Sequence, residues 1–60
     1  MVHLNVDDYH ENTDVLIEMF KATALQEGWR EHEVHAVITE AYRLLDHDHL
    51  IETIRKYCNH

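Results

Sequence analysis

The sequence predicts an all-α protein, a small three-helix bundle with a long first helix. Proline is absent and glycine occurs once in 60 residues, so the turn residues that a sheet protein needs are missing. Apolar residues recur at three- and four-residue spacing in three consecutive segments, which is typical of amphipathic helices joined by short links. Hydrophobic residues make up 45% of the chain, enough for a globular fold, and the length predicts one domain, residues 1–60.

The first predicted helix runs from about Asp7 to Glu27. Asn5 is a suitable N-cap, and the acidic residues that follow it favour the positive end of the helix dipole. Gly28 follows as the expected left-handed C-cap. The stripe expected to face the core consists of Val6, Tyr9, Thr13, Leu16, Ile17, Phe20 and Ala24.

An alternative start for this helix lies at Asn12-Thr13. It leaves residues 1–11 as an extended arm, in keeping with the alternation of Val2, Leu4 and Val6. Both starts are compatible with the same apolar stripe from Leu16 onward.

The second and third predicted helices cover about residues 30–45 and 48–58. Asp46 or Asp48 can cap the third helix, and Trp29 in the first link is expected to close one end of the bundle. The predicted core is Leu16, Ile17, Phe20, Ala24, Trp29, Val34, Val37, Ile38, Ala41, Leu45, Leu50, Ile51 and Ile54.

Charge and cysteine content exclude several classes of protein. The chain has a net charge of -7, so a protein that binds nucleic acid directly through a basic surface is not expected. The single cysteine, Cys58, rules out a disulfide within the chain and favours a reducing, cytoplasmic location. The first residues lack the basic and apolar regions of a signal peptide, and apolar runs are too short for a membrane span.

A second apolar line on the first helix predicts an interaction surface. Val15, Met19 and Ala22 lie away from the stripe that faces the core. Because one helix of a bundle gives only one face to its own core, this line must meet solvent, a second copy or another protein. We therefore expect a homo-oligomer or a protein partner at Val15, Met19 and Ala22.

The seven histidines raise the question of a metal site. His32 and His35 are three residues apart, whereas the zinc-protease motif needs two histidines four apart. The segment from Asp46 to His49 alternates carboxylate and imidazole groups, but adjacent side chains diverge in direction. We expect no tight metal site and no cofactor.

Enzyme chemistry is not expected either. The chain contains no serine, no glycine-rich phosphate loop and little room for a substrate pocket. Cys58 lies on the predicted core stripe of the third helix, and it is not expected to form a nucleophile–base pair with His60. No catalytic residues are therefore predicted.

Two resemblances to known families bear on this interpretation. Gly28-Trp29, a charged turn, the helix through Ala41 and the acidic link before Leu50 resemble ubiquitin-associated domains, which are compact three-helix bundles. The predicted first helix is longer than in that family, and Glu27 stands where the family prefers Met, so ubiquitin binding is not carried over.

The second resemblance covers most of the chain. The order Asp7-Asp8-Tyr9, Asn12-Thr13, a helix from Val15 to Phe20, Gly28-Trp29 and a tail from Asp48 to Ile54 looks like short uncharacterised acidic proteins of marine tailed phages. This likeness implies a small, acidic, cytoplasmic protein expressed in a bacterial host, with no known activity or site residues.

Three functions follow as hypotheses. The first is a non-enzymatic protein-interaction module that self-associates through the first helix. The second is a phage-type acidic inhibitor or nucleic-acid mimic that binds a host protein through Asp7, Asp8, Glu11, Asp14 and Glu18. The third is a metal-binding regulator that uses the histidines.

Overall fold

The computed structural model describes residues 1–59 and confirms an all-α three-helix bundle. Its helices are α1 (Thr13–Gln26), α2 (Glu31–Ala41) and α3 (His47–Arg55). A 3-10 helix (Val6–Tyr9) precedes α1, and two short strands, β1 (Val2–His3) and β2 (Cys58–Asn59), lie outside the helices in sequence. At 14 residues, α1 is the longest helix but is shorter than predicted.

The start of α1 lies at Thr13, so the predicted start at Asp7 is wrong and the alternative at Asn12-Thr13 is right. Asn12 caps the helix, since its side-chain oxygen accepts a hydrogen bond from the Val15 amide at 3.3 Å. Asn5 caps the 3-10 helix instead, accepting from the Asp7 amide at 3.2 Å. Two asparagine caps therefore divide a segment that apolar periodicity alone reads as one helix.

The end of α1 follows the prediction closely. Gly28 has a φ of +100°, the left-handed conformation that glycine adopts without strain. The Trp29 amide donates to the Ala24 carbonyl at 3.0 Å, and the Gly28 amide donates to the Leu25 carbonyl at 3.1 Å. This pair of bonds is the Schellman motif, and it satisfies carbonyls that the helix end would otherwise leave free.

Both α2 and α3 end earlier than predicted. α2 ends at Ala41 and not near residue 45, and α3 ends at Arg55 and not near residue 58. Neither end carries glycine or proline, the residues that most often mark a helix end. Asp46 caps α3, because its carboxylate accepts a hydrogen bond from the Asp48 amide at 2.9 Å. Residues 42–45 form the link between the two helices.

The two ends of the described chain meet in a parallel strand pair, in which Val2 pairs with Cys58 and His3 with Asn59. The Val2 amide donates to the Tyr57 carbonyl at 2.7 Å, and the Leu4 amide donates to the Asn59 carbonyl at 3.1 Å. The extended arm of the alternative prediction is confirmed only for the start of the chain, where β1 lies; further along, Val6–Tyr9 form the 3-10 helix and are not extended. Val2, Leu4 and Val6 are all buried in the core.

The core is mostly the predicted one. Of the predicted set, Trp29 and Ile38 are only partly buried, Leu45 is fully exposed, and the remaining members are buried. Leu45 leaves the core because α2 ends before it. Val2, Leu4 and Val6 take additional core positions that the predicted set lacked.

Trp29 packs on the core at the end of α1, as predicted. Its ring lies edge-on to Phe20, with centroids 5.7 Å apart, and edge-on to Tyr57, with centroids 5.9 Å apart. Such aromatic pairs add to the stabilisation from burial. Trp29 therefore connects α1 to the segment that leads into β2.

A carboxylate ties β1 to the end of α1. Glu27 accepts from the His3 amide at 2.8 Å, and its oxygen lies 3.2 Å from His3 Nδ1. The pKa of Glu27 is lowered, chiefly by the hydrogen bond from the His3 backbone. The ionised carboxylate therefore stabilises the folded state, and this contribution is lost as pH falls through the lowered pKa.

We expect Glu27→Gln to lower the melting temperature at neutral pH, because the ionised acceptor is lost. The difference in melting temperature between variant and wild type should narrow as the pH falls below the ordinary pKa of glutamate and through the lowered pKa of Glu27, where the wild-type carboxylate is protonated. Thermal melts followed by circular dichroism across this pH range measure it. Glu11→Gln removes an exposed carboxylate as a control and should leave the melting temperature unchanged; a gap of constant size at all pH values would contradict the role of Glu27.

Candidate protein-interaction surfaces

The outer face of α1, formed by Val15, Met19 and Ala22, is exposed. Val15 is 41% exposed and Met19 37% exposed. The opposite side of the helix places Leu16, Phe20 and Ala24 in the core. The predicted division of α1 into two apolar faces is thus present, and binding through the outer face stays a prediction.

A groove of about 400 Å³ lies between α1 and α2 on another side of α1. We call it the α1–α2 groove. Half of its lining residues are apolar and half are polar or charged; the lining consists of Ile17, Glu18, Lys21, Leu25, Glu31, Val34, His35 and Ile38. Only Ile17 and Val34 of these are buried; the others reach the surface wholly or in part.

The loop between α2 and α3, residues 42–46, carries exposed apolar side chains that were not predicted. Tyr42 is 48% exposed, Leu44 is 45% exposed and Leu45 is fully exposed. A shallow depression of about 520 Å³ adjoins the loop and includes Ile38, Tyr42 and Arg43 in its lining. Ile38 also lines the α1–α2 groove, so the groove and the depression adjoin each other along α2.

Sequence reasoning missed this surface because it placed Leu45 in the core and Leu44 on a continuing helix. The signal that could have found it is Asp46. A strong N-cap at that position starts a new helix, so the residues before it must form the link.

Two of the five acidic residues predicted to bind a basic partner, Asp7 and Asp8, interact with side chains of their own chain. Asp7 lies 2.8 Å from the Arg55 guanidinium, which raises the pKa of Arg55, and Asn5 donates to Asp8 at 3.5 Å. Within residues 1–59, Glu11, Asp14 and Glu18 form no ion pair and remain exposed.

The carboxylate of Glu40, on α2, also interacts with side chains of its own chain. Glu40 lies 2.9 Å from Arg43, and this hydrogen bond is the main reason that the pKa of Glu40 is lowered. The same carboxylate lies 3.2 Å from His49 Nε2, which also lies 2.9 Å from the Glu40 carbonyl oxygen. This contact holds the first turn of α3 against the end of α2.

The remaining histidines are scattered over the surface. His32 and His35 are exposed on α2. His10 and His47 come together from distant parts of the sequence, with ring centroids 5.3 Å apart and an edge-on orientation, which no spacing in the sequence indicated. Within residues 1–59, no three His, Cys, Asp or Glu side chains lie close enough together to hold a metal ion.

Cys58 lies in β2 and not on a third helix as predicted. It packs against the core and is partly buried. Burial, with a smaller contribution from the charge of Glu27, raises the pKa of the thiol to about 11, so the thiol is protonated and weakly nucleophilic at neutral pH. His60, considered above as a neighbour of Cys58, lies outside the described residues.

Comparisons with known proteins give no relatives. The chain matches no protein-family model, and it shows no significant similarity to curated proteins or to solved structures. Among residues 1–59, none of the helices has the length and apolar character needed to cross a bilayer.

Proposed function

We propose that this protein is a non-enzymatic protein-interaction module that self-associates through the outer face of α1. The observation that carries the proposal is the exposure of Val15 and Met19, one helical turn apart, with Ala22 on the same face. The core is already filled from the opposite face by side chains such as Leu16 and Phe20. Among the described residues, the outer face is therefore left at the surface of its own bundle, with its side chains only partly covered.

The chemistry of this face suits association between helices. Burial of apolar side chains supplies the favourable free energy, and Ala22 allows a second helix to approach closely. The unbranched side chain of Met19 adapts to the shape of the opposing surface. Asp14 and Glu18 are exposed beside the face and would set the orientation of the two helices more than their affinity.

Met19→Glu is expected to abolish association through the outer face of α1 and so to lower the mass of the assembly, because it places a charge without a partner in the middle of the apolar face. Loss of such an anchor costs about 2 kcal/mol or more of association energy, a weakening of about thirtyfold. Light scattering measures the mass over a range of concentrations, and circular dichroism checks that the helix content is unchanged.

His32→Glu is the matched control, since it adds the same charge at an exposed position on α2. It should leave the mass unchanged. If Met19→Glu retains the wild-type mass, or if the wild type is monomeric at high concentration, association through the outer face of α1 is wrong.

A second candidate function is binding to a basic surface of another protein, as an acidic inhibitor does. It is favoured by Glu11, Asp14 and Glu18, which stand without ion pairs among the described residues in a chain of net charge -7. Salt separates the two functions. Binding through carboxylates weakens steeply with ionic strength, whereas apolar association does not.

A further inference from the structure

The loop between α2 and α3 is the most conspicuous apolar feature of the described surface. Leu45 makes so little contact with its own bundle that its side chain is fully exposed, and Leu44 beside it is 45% exposed. Aliphatic side chains adjacent in a loop and directed into water are unfavourable unless a second surface covers them. A surface that covers Leu44 and Leu45 must offer an apolar depression for the leucines and carboxylates near Arg43.

The α1–α2 groove has both properties. Its volume of about 400 Å³ exceeds the roughly 150 Å³ of an apolar cavity that holds a benzene molecule. Ile17 and Val34 form its buried floor, and Leu25 and Ile38 are partly buried beside them. It therefore offers an apolar site for more than one aliphatic side chain.

We propose that two copies of this chain form a two-fold dimer in which each inserts Leu44 and Leu45 into the α1–α2 groove of the other. The placement of these features along α2 makes the exchange reciprocal. Glu31 at the groove lies seven residues before Ile38, and Leu45 in the loop lies seven residues after it. Ile38 itself lines both the groove and the depression beside the loop. In the proposed dimer the two-fold axis lies near Ile38, so that the loop of each copy meets the groove of the other.

The charges agree with this arrangement. Arg43 stands beside the two leucines; its Nε lies 2.9 Å from Glu40, and 60% of its side chain stays exposed for a further carboxylate. The groove carries Glu18 and Glu31, which form no ion pair within residues 1–59, and one lysine, Lys21, so its carboxylates outnumber its ammonium group. Exchange of the loops places the arginine of each copy near Glu31 of the other, twice in one dimer.

This local complementarity matters because the net charge of -7 makes two copies repel each other. At about 0.15 M salt the Debye length is about 8 Å, so repulsion between distant charges is screened while contacts at the groove persist. An apolar insertion flanked by opposite charges is thus the contact that can hold two acidic chains together.

The loop dimer is separate from association through the outer face of α1, because Val15, Met19 and Ala22 do not line the groove. A chain with both interfaces forms assemblies larger than a dimer. Met19→Glu alone should then leave the loop dimer, and loss of the loop contact alone should leave the dimer through α1. Failure of one proposal therefore does not conceal failure of the other.

The first test is Leu45→Glu in the Met19→Glu background, with the full-length chain studied by light scattering at about 0.15 M salt. We expect dimerisation to weaken about tenfold or more, while the melting temperature of the monomer stays unchanged because Leu45 is exposed in it. A dimer that survives Leu45→Glu, or a Met19→Glu variant that is already monomeric at high concentration, would overturn the proposal. In the second case the groove would have to take a different protein.

The second test uses charge reversal to establish the reciprocal arrangement. Arg43→Glu and Glu31→Arg should each weaken the dimer about tenfold, and the double variant should recover most of the wild-type affinity because both contacts are restored with reversed sign. Thermal melts of each variant check that the bundle is folded. Weakening that the double variant fails to reverse would overturn the placement of Arg43 at the groove of the second copy.

Discussion

Phe20→Ala is expected to destabilise the fold by about 3–5 kcal/mol. Phe20 is fully buried in α1 and lies edge-on to Trp29 with ring centroids 5.7 Å apart. The substitution removes the apolar ring, leaves a cavity and breaks this aromatic pair. A 60-residue domain has a small free energy of unfolding to begin with, so the variant keeps little net stability. Urea unfolding followed by circular dichroism and by the fluorescence of Trp29 measures the loss.

Leu45→Ala is the matched control for the same experiment. The apolar pattern places Leu45 in the core, whereas the structure exposes it fully. At concentrations where the chain is monomeric, its removal should change the free energy of unfolding by less than about 0.5 kcal/mol. A loss comparable to that of Phe20→Ala would mean that α2 continues through residue 45.

The parts of the fold that were predictable from the sequence are those specified by neighbouring residues. The core face of α1 follows from the spacing of Leu16, Phe20 and Ala24, and the end of α1 follows from Gly28. In each case the cause lies within one or two helical turns of its effect. Local hydrogen bonds and one-sided apolar burial are sufficient to determine these features.

The ends of α2 and α3 were not predictable in this way. Apolar residues at helical spacing continue through Leu45 and through Cys58, so periodicity predicts longer helices. Two different causes end the helices. The local cap at Asp46 starts α3 and so ends α2 before it, whereas after α3 Cys58 pairs as a strand with Val2 from the other end of the described chain. Only the second cause is a tertiary contact that no local pattern encodes.

The candidate surfaces likewise include one that apolar spacing predicted and two that it did not. The outer face of α1 was predictable, because one helix cannot bury two opposite faces in a three-helix bundle. The α1–α2 groove and the exposed loop were not, because both depend on where α2 ends. The closeness of His10 and His47 likewise arises from the packing of α3 near the first turns, which no short-range pattern encodes.

Val2→Asp is expected to destabilise the fold by about 3 kcal/mol or more, although it lies in a strand of only two residues. Val2 is fully buried, and its amide donates to the Tyr57 carbonyl at 2.7 Å. An ionised carboxylate at this position would lose its hydration on entering the apolar core, which is costly. The substitution therefore breaks the contact that holds the start of the chain against the segment after α3.

The pH dependence of this loss distinguishes a buried charge from a merely weakened strand. Burial raises the pKa of the introduced aspartate in the folded state, so its penalty should be large at pH 7 and should diminish as the pH falls toward about 4. Val2→Asn introduces a polar group of similar size that does not titrate, and its penalty should be independent of pH over this range relative to the wild type. His32→Asp adds the same charge at an exposed site and should cost less than about 0.5 kcal/mol. If Val2→Asp melted with the wild type at pH 7, the parallel pairing of β1 with β2 would contribute nothing to the stability of the bundle.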